Sequence, residues 1–189
     1  MKRRNFIKSS SLLSSAFIIP GYTFKPKKNI YNDKIKLSLV GCGGRGTGAV
    51  INALNADDNI ELISMCDVFE DRIERSLNNL KDEFKGTSKI QVKNENCFTG
   101  FDGYKKTIDN ADVVILATPP GFRPQHFEYA VNSSKHVFVE KPVATDISGI
   151  KRFIESAKIV KKKKLNVVVG LQRRYQPSYI NTLKQVKRG

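Results

Sequence analysis

Tryptophan is absent from the 189 residues and cysteine is scarce, with three thiols at 42, 66 and 97. The count is odd and no C-x-x-C pair occurs, which argues against a disulfide framework and a zinc knuckle; no metal site is expected. Long apolar runs are lacking too. The apolar stretch at residues 12–19 is interrupted by Ser14 and Ser15 and falls short of the roughly 20 residues a membrane-spanning helix needs. Acidic residues are outnumbered, 18 Asp+Glu against 33 Lys+Arg, for a formal charge of +15. Hydrophobic residues nevertheless make up 40% of the chain, enough for a packed core and too many for global disorder. At about 150 residues per domain the length gives one domain and a remainder.

The charge imbalance is local. Residues 1–34 carry +7, residues 35–150 carry −3 and residues 151–189 carry +11. The first block opens Met1-Lys2-Arg3-Arg4-Asn5-Phe6-Ile7-Lys8 and leads into the short apolar run. An Arg pair followed at once by Phe and Ile resembles a bacterial twin-arginine export signal. The expected partner is therefore the twin-arginine machinery, and the expected location the periplasm. Residues 1–33 read as signal and linker, with no evident small-x-small cleavage site after Ile19. In the last block the lysines at 161–164 fall at a predicted helix end, where cations complement the macrodipole, while Arg173 and Arg174 fall in a loop. Charges spread over several elements do not make a nucleic-acid surface.

The mildly acidic centre carries the chemistry. Residues 35–40 form a short apolar-rich run ending at Gly41-Cys42-Gly43-Gly44-Arg45-Gly46, after which Ala49, Val50, Ala53 and Leu54 recur at helical spacing. Gly41, Gly43 and Gly46 thus form G-x-G-x-x-G between a strand and a helix. The first glycine makes the tight turn, the second lets backbone approach a pyrophosphate, and the third lets helix and strand pack closely. A second strand at 60–66 ends in Asp67, 21 residues after Gly46. A carboxylate at that strand tip is placed to accept hydrogen bonds from adenosine ribose hydroxyls, which favours NAD over NADP. Arg72 keeps NADP open, since a guanidinium there could meet the 2′-phosphate. Asp67 could also cap the helix read from Phe69, Ile73, Leu77, Leu80 and Phe84, and both roles could hold at once.

Further strand-like runs follow at 96–99, 113–117, 136–140 and 165–170, with helix-like stretches between them. The clearest helix carries Ile147, Ile150, Phe153, Ile154, Ala157 and Val160 behind Thr145 or Asp146 as cap. Alternating apolar strands and amphipathic helices predict an α/β fold with a doubly wound parallel sheet of about six strands. Ligands of such sheets bind beyond the carboxyl ends of the strands.

The residues at those ends are Gly41 to Gly46, Asp67, Ala117-Thr118-Pro119-Pro120, Glu140-Lys141-Pro142 and Gly170-Leu171-Gln172-Arg173-Arg174-Tyr175. With His136-Val137-Phe138-Val139 before the Glu-Lys-Pro block, they resemble the Gfo/Idh/MocA (glucose–fructose oxidoreductase/inositol dehydrogenase) family over roughly residues 34–189. The resemblance implies NAD(P)-dependent hydride transfer to or from a sugar, cyclitol or related polyol. It implies Lys141 as the catalytic residue, Glu140 on the nicotinamide ribose and Pro142 shaping the turn through a cis bond. Thr118 and Pro119 would lie along the nicotinamide half with His126 close by, and Gln172 and Arg173 would border the cleft. Arg45 joins Gly41, Gly43 and Gly46 as a cofactor contact in the first turn. For His126 an ordinary helix-surface position is an equal alternative.

The implied organisation is a nucleotide-binding domain over 34–172 and the opening of a second α/β domain at 173–189. In the family that second domain supplies the substrate wall, an Asp/His-type pair and the oligomer interface, so substrate identity is not expected from these residues. Two other readings are a cofactor-binding remnant without turnover and an NAD-dependent glycosidase on the same fold.

Overall fold

The computed structural model describes residues 34–189; the leader expected at 1–33 lies outside them. Six strands form one sheet: β1 (Ile35–Val40), β2 (Ile60–Asp67), β3 (Cys97–Thr99), β4 (Val113–Leu116), β5 (His136–Val139) and β6 (Val167–Val169). Their order is β3-β2-β1-β4-β5-β6 and every pairing is parallel. This is the doubly wound Rossmann order that the apolar runs predicted. Neighbours β1 and β4 feed connections that run in opposite directions, leaving a crevice beyond their carboxyl ends.

The helices are α1 (Gly44–Ala56), α2 (Glu70–Glu83), α3 (Gly103–Asp109), α4 (Arg123–Asn132), α5 (Ile147–Lys163) and α6 (Pro177–Val186). Strand alternation divides the core in two. Leu39, Leu62 and Ile115 pack with Val50, Leu54 and Leu80 of α1 and α2, while Val114, Leu116, Val137 and Val139 pack with Ile108, Phe127 and Val131 of α3 and α4. Each fully buried side chain of this size contributes about 1.5–3 kcal/mol relative to exposure. Phe127 and Phe153 stack at 4.0 Å and join α4 to α5.

Helix ends show where local chemistry chose the boundary. Asp146, not Thr145, caps α5, its Oδ1 accepting from Gly149 N at 2.8 Å. In α2 the stripe Ile73, Leu77 and Leu80 is buried, but Phe69 stands outside the helix and is 59% exposed. The lysine run ends α5 as expected, yet Lys163 is more than a solvated charge. Its Nζ donates to Val131 O at 3.1 Å, Asn132 O at 2.6 Å and Ser134 Oγ at 3.1 Å, closing the carboxyl end of α4. None of the residues of α6 is buried. Among the described residues no helix is long and apolar enough to cross a membrane.

Buried hydroxyls between β1 and β2 are paired. The ladder between β1 and β2 shifts between Leu37 and Ser38, which sets Ser38 opposite Ser64. Their hydroxyls lie 2.6 Å apart, and Ser64 Oγ donates to Thr107 O at 3.1 Å. The three thiols are free. Burial pushes Cys66 up to about 12 and also raises Cys42, so both are inert core thiols at neutral pH.

Candidate cofactor site

The glycine turn is built by close approaches. Gly41 has φ +99, and a Cβ there would lie 2.7 Å from Thr118 N and 2.8 Å from Ala117 C. Only glycine lets the first turn pass against the loop that follows β4. Gly46 is equally tight: a Cβ would run into Gly41 O and sit 3.1 Å from Leu39 Cδ1. Gly43 is open, the nearest atom to an added Cβ being Arg72 Nη1 at 3.9 Å. The α1 amino terminus has no side-chain cap and no acidic residue in its first turn. Its unpaired N–H groups therefore face the same open space as Gly43.

Ladder bonds align the neighbouring strand ends. Gly41 N donates to Cys66 O at 2.8 Å, Ala117 N to Val40 O at 2.8 Å, Glu140 N to Leu116 O at 3.0 Å and Gly170 N to Val139 O at 2.8 Å. Asp67 stands at the tip of β2, where its Oδ2 accepts from Cys42 N at 2.8 Å and its Oδ1 from Phe69 N at 3.2 Å. The helix-cap alternative for Asp67 is thereby replaced, because the residue at the cap position of α2 is Phe69. The two backbone bonds fix the carboxylate and leave each oxygen a lone pair for a further donor.

Two loops complete the site. Thr118 and Pro119 follow β4, and Thr118 Oγ1 lies 3.2 Å from Nδ1 of His126 in α4. His126 is only 6% exposed, and its ring lies 4.2 Å from Tyr104 and 6.2 Å from Phe122, centroid to centroid. The surface alternative for His126 is overturned. Burial pushes its pKa from 6.5 down to about 4. Between those values the unfolded chain binds a proton that the folded chain does not, so stability is complete above pH 6.5 and falls as the pH drops toward 4. Taking wild type from pH 7 to pH 5 is expected to remove about 2 kcal/mol of stability through this group. Urea denaturation at the two pH values, with His126→Gln showing a flatter dependence, checks it.

Glu140, Lys141 and Pro142 follow β5, and the Lys141–Pro142 bond is cis. Lys141 is exposed. Glu140 is 2% exposed and its carboxylate pairs with the Arg45 guanidinium. The contact is an ion pair without hydrogen-bond geometry at Oε1. Gly170 makes room for it, since a Cβ there would meet Glu140 Oε1 at 2.7 Å. Arg45 thus reaches from the glycine turn to the Glu-Lys-Pro turn.

A cavity of about 560 Å³ opens at the crevice and is lined by Gly41, Gly43, Asp67, Arg72, Thr118 and His126 among others, with Pro119 at its wall. Arg72 also lines a second cavity between α1 and α2. These residues fit a dinucleotide: an open glycine face, uncapped helix N–H groups and a fixed carboxylate one strand away. Gln172 and Arg173 lie apart from this group. Gln172 lines a separate cavity with Arg45 and Phe138, and Arg173 stands over the Tyr179 ring at 5.0 Å. Sequence reasoning missed Arg123, buried at the start of α4 and bonded to three backbone carbonyls. A lone Arg after a Pro-Pro-Gly-Phe loop carries no periodic signal that could have flagged it. Among the described residues no cluster of His, Cys, Asp and Glu could hold a metal ion.

A family described as oxidoreductases with an NAD-binding Rossmann fold matches residues 35–171. A glycosyl hydrolase family 109 protein of Streptomyces coelicolor is 29% identical over 125 residues, which cover 65% of this chain and 25% of that protein. An inositol 2-dehydrogenase of Salmonella paratyphi B is 27% identical over 150 residues, covering 77% of this chain and 39% of that enzyme. Among solved structures, the WlbA dehydrogenase of Bordetella pertussis in complex with NADH and UDP-GlcNAcA superposes with a TM-score of 0.61 at 25% identity, covering 85% of this chain and 41% of that one. The chain therefore spans well under half the length of these relatives.

Proposed function

The chain belongs to the Gfo/Idh/MocA oxidoreductase family, and on that premise we propose that it is the nucleotide-binding part of an enzyme that moves hydride between NAD(H) and a sugar-like or cyclitol hydroxyl. The observation that carries the reading is the Asp67 carboxylate, pinned by Cys42 N and Phe69 N beside the open face of Gly43. Asp67 takes the adenosine ribose hydroxyls, and the α1 N–H groups with Gly43 take the pyrophosphate. Thr118, Pro119 and the turn at 140–142 take the nicotinamide half. NAD is preferred because a 2′-phosphate would meet the Asp67 carboxylate, with Arg72 moderating the repulsion.

When bound, the cofactor supplies the hydride acceptor. Lys141 removes the hydroxyl proton of the substrate. Lys141 is exposed at the turn after β5, where its amine would accept that proton as hydride leaves carbon. In a polyol-oxidation assay Lys141→Ala is expected to lower kcat by about 10²–10⁴ with NADH affinity retained. Turnover unaffected by the substitution contradicts the role.

A second reading has one observation in its favour, the similarity to the Streptomyces glycosyl hydrolase family 109 protein. A glycosidase would release free sugar from a glycoside with no net reduction of NAD, whereas a dehydrogenase accumulates NADH. Substrate choice and self-association are assigned to a second domain that begins at residues 173–189; the absence of buried residues in α6 supports that division. Export through the twin-arginine route rests on the order Arg3-Arg4-Asn5-Phe6-Ile7. A reporter fused behind residues 1–33 should reach the periplasm, and replacing both Arg3 and Arg4 by Lys should retain it in the cytoplasm.

A further inference from the structure

We propose that Arg123 is the positioning residue of the Lys141 turn, an inference that rests on the proton-transfer role of Lys141 given above. Arg123 is the first residue of α4 and is 6% exposed. A buried guanidinium is tolerated only where its donors are used. Here Nε donates to Thr118 O at 2.7 Å, and Nη1 donates to Glu140 O at 2.9 Å and to Pro142 O. The two Nη1 acceptors are the carbonyls on either side of Lys141. One nitrogen thus spans the residue through its own backbone, and the third bond ties that span to the loop after β4.

The geometry requires a guanidinium. Its fork is planar and rigid, so the direction of Nε toward Thr118 fixes the direction of Nη1 toward the Glu140 and Pro142 carbonyls. An ammonium at the same site is a single point and cannot hold both loops in one orientation. Arg45 and the space at Gly170 hold the Glu140 side chain separately, so Arg123 acts on the backbone and Arg45 on the carboxylate. Lys141 itself stays exposed between them, free to meet cofactor and substrate. Misplacing a reacting group by about 1 Å can reduce a rate about 10²-fold, which is the effect that such a brace prevents.

The test reads Lys141 directly, with no need for turnover. Under single-hit acylation by an amine-reactive ester, trypsin leaves the Lys141–Pro142 bond uncut. Labelled and unlabelled Lys141 then appear in the same peptide, residues 136–151, by mass spectrometry. With NADH at about ten times its dissociation constant, wild type should show about tenfold protection of Lys141. Arg123→Lys and Arg123→Ala should lower this to less than about twofold when NADH is held at the same multiple of each variant's own dissociation constant. Labelling of Lys163, which reports loosening of the α4–α5 contact, should be unchanged. Millimolar guanidinium ion should restore protection in Arg123→Ala and methylammonium should not.

Wild-type protection that persists in both variants overturns the positioning role. A parallel rise at Lys163, or rescue by neither cation, also overturns it by showing a general packing effect. Arg123→Lys, which keeps charge and most of the volume, serves if Arg123→Ala does not fold. Wild type that binds no NADH, or binds it without protecting Lys141, overturns instead the cofactor and Lys141 reading beneath.

Discussion

Replacing Gly46 by Ala is expected to abolish stable folding, while replacing Gly43 by Ala leaves the fold intact and weakens cofactor binding about tenfold or more. The two glycines are three residues apart in one motif and differ in what surrounds them. A Cβ at Gly46 drives into the backbone carbonyl of Gly41 and sits 3.1 Å from Leu39 Cδ1 and 3.2 Å from Ala117 Cβ. Neither the carbonyl nor the sheet beneath it can move without parting α1 from β1 and β4. Overpacking against side chains costs about 1–3 kcal/mol; against fixed backbone the loss exceeds this and approaches the total stability of a domain, about 5–15 kcal/mol. At Gly43 nothing but the tip of Arg72 lies within 4 Å, so a methyl is accommodated and the thermal midpoint barely changes. The methyl then occupies the face on which a pyrophosphate would rest, and NADH affinity falls by about tenfold or more, equivalent to at least 1.4 kcal/mol. Gly48→Ala is the control: it lies inside α1 with nothing within 4 Å of its added Cβ and should gain about 0.5–1 kcal/mol from helix propensity. Urea denaturation and NADH fluorescence titration on the three variants separate packing from binding.

Asp67→Ala is the second large expected effect. The carboxylate accepts from Cys42 N and Phe69 N in the protein and, in the proposed complex, from the ribose hydroxyls. A hydrogen bond to a charged group is worth about 1.5–3 kcal/mol, so losing one lowers NADH affinity by about 10–10²-fold and losing two by more. Orphaning the two backbone donors adds a smaller loss of stability. Asp67→Asn retains acceptor capacity without charge and should fall between. NADPH should be weakened far less than NADH by either change, because the removed charge opposed its 2′-phosphate. Arg72→Ala should act the other way, weakening NADPH more than NADH. Titration of both cofactors against the three variants gives the comparison, and equal losses for the two cofactors in Asp67→Ala would contradict the ribose assignment.

Much of the sheet was legible because strands buried on both faces read as apolar runs, and because glycine spacing and the acidic residue 21 positions later are consequences of backbone geometry. Strand β3 was faint, three residues at the sheet edge with no buried member. The buried faces of the short helices α3 and α4 include Gly103, Thr107, Arg123 and His126, so they do not read as apolar stripes in the sequence. At the site, identity of residue did not reveal direction of side chain. Arg45 reads as a cofactor contact in the first turn, and its guanidinium turns to Glu140. Gln172 sits one residue past Leu171 in a short helical turn that faces another cavity. Arg123 was invisible because its partners are carbonyls, which every residue has.

The central claim is that the crevice between β1 and β4 binds NAD(H) through Asp67 and the Gly43 face. Titration of the protein with NADH, followed by the fluorescence of the bound nicotinamide and repeated with NADPH, tests it most directly. The expected result is a saturable enhancement with NADH, a weaker affinity for NADPH, and NADH affinity lowered about tenfold or more in both Gly43→Ala and Asp67→Ala at unchanged fold. No saturable signal with either nucleotide, or an NADH affinity unchanged by both substitutions, would contradict it.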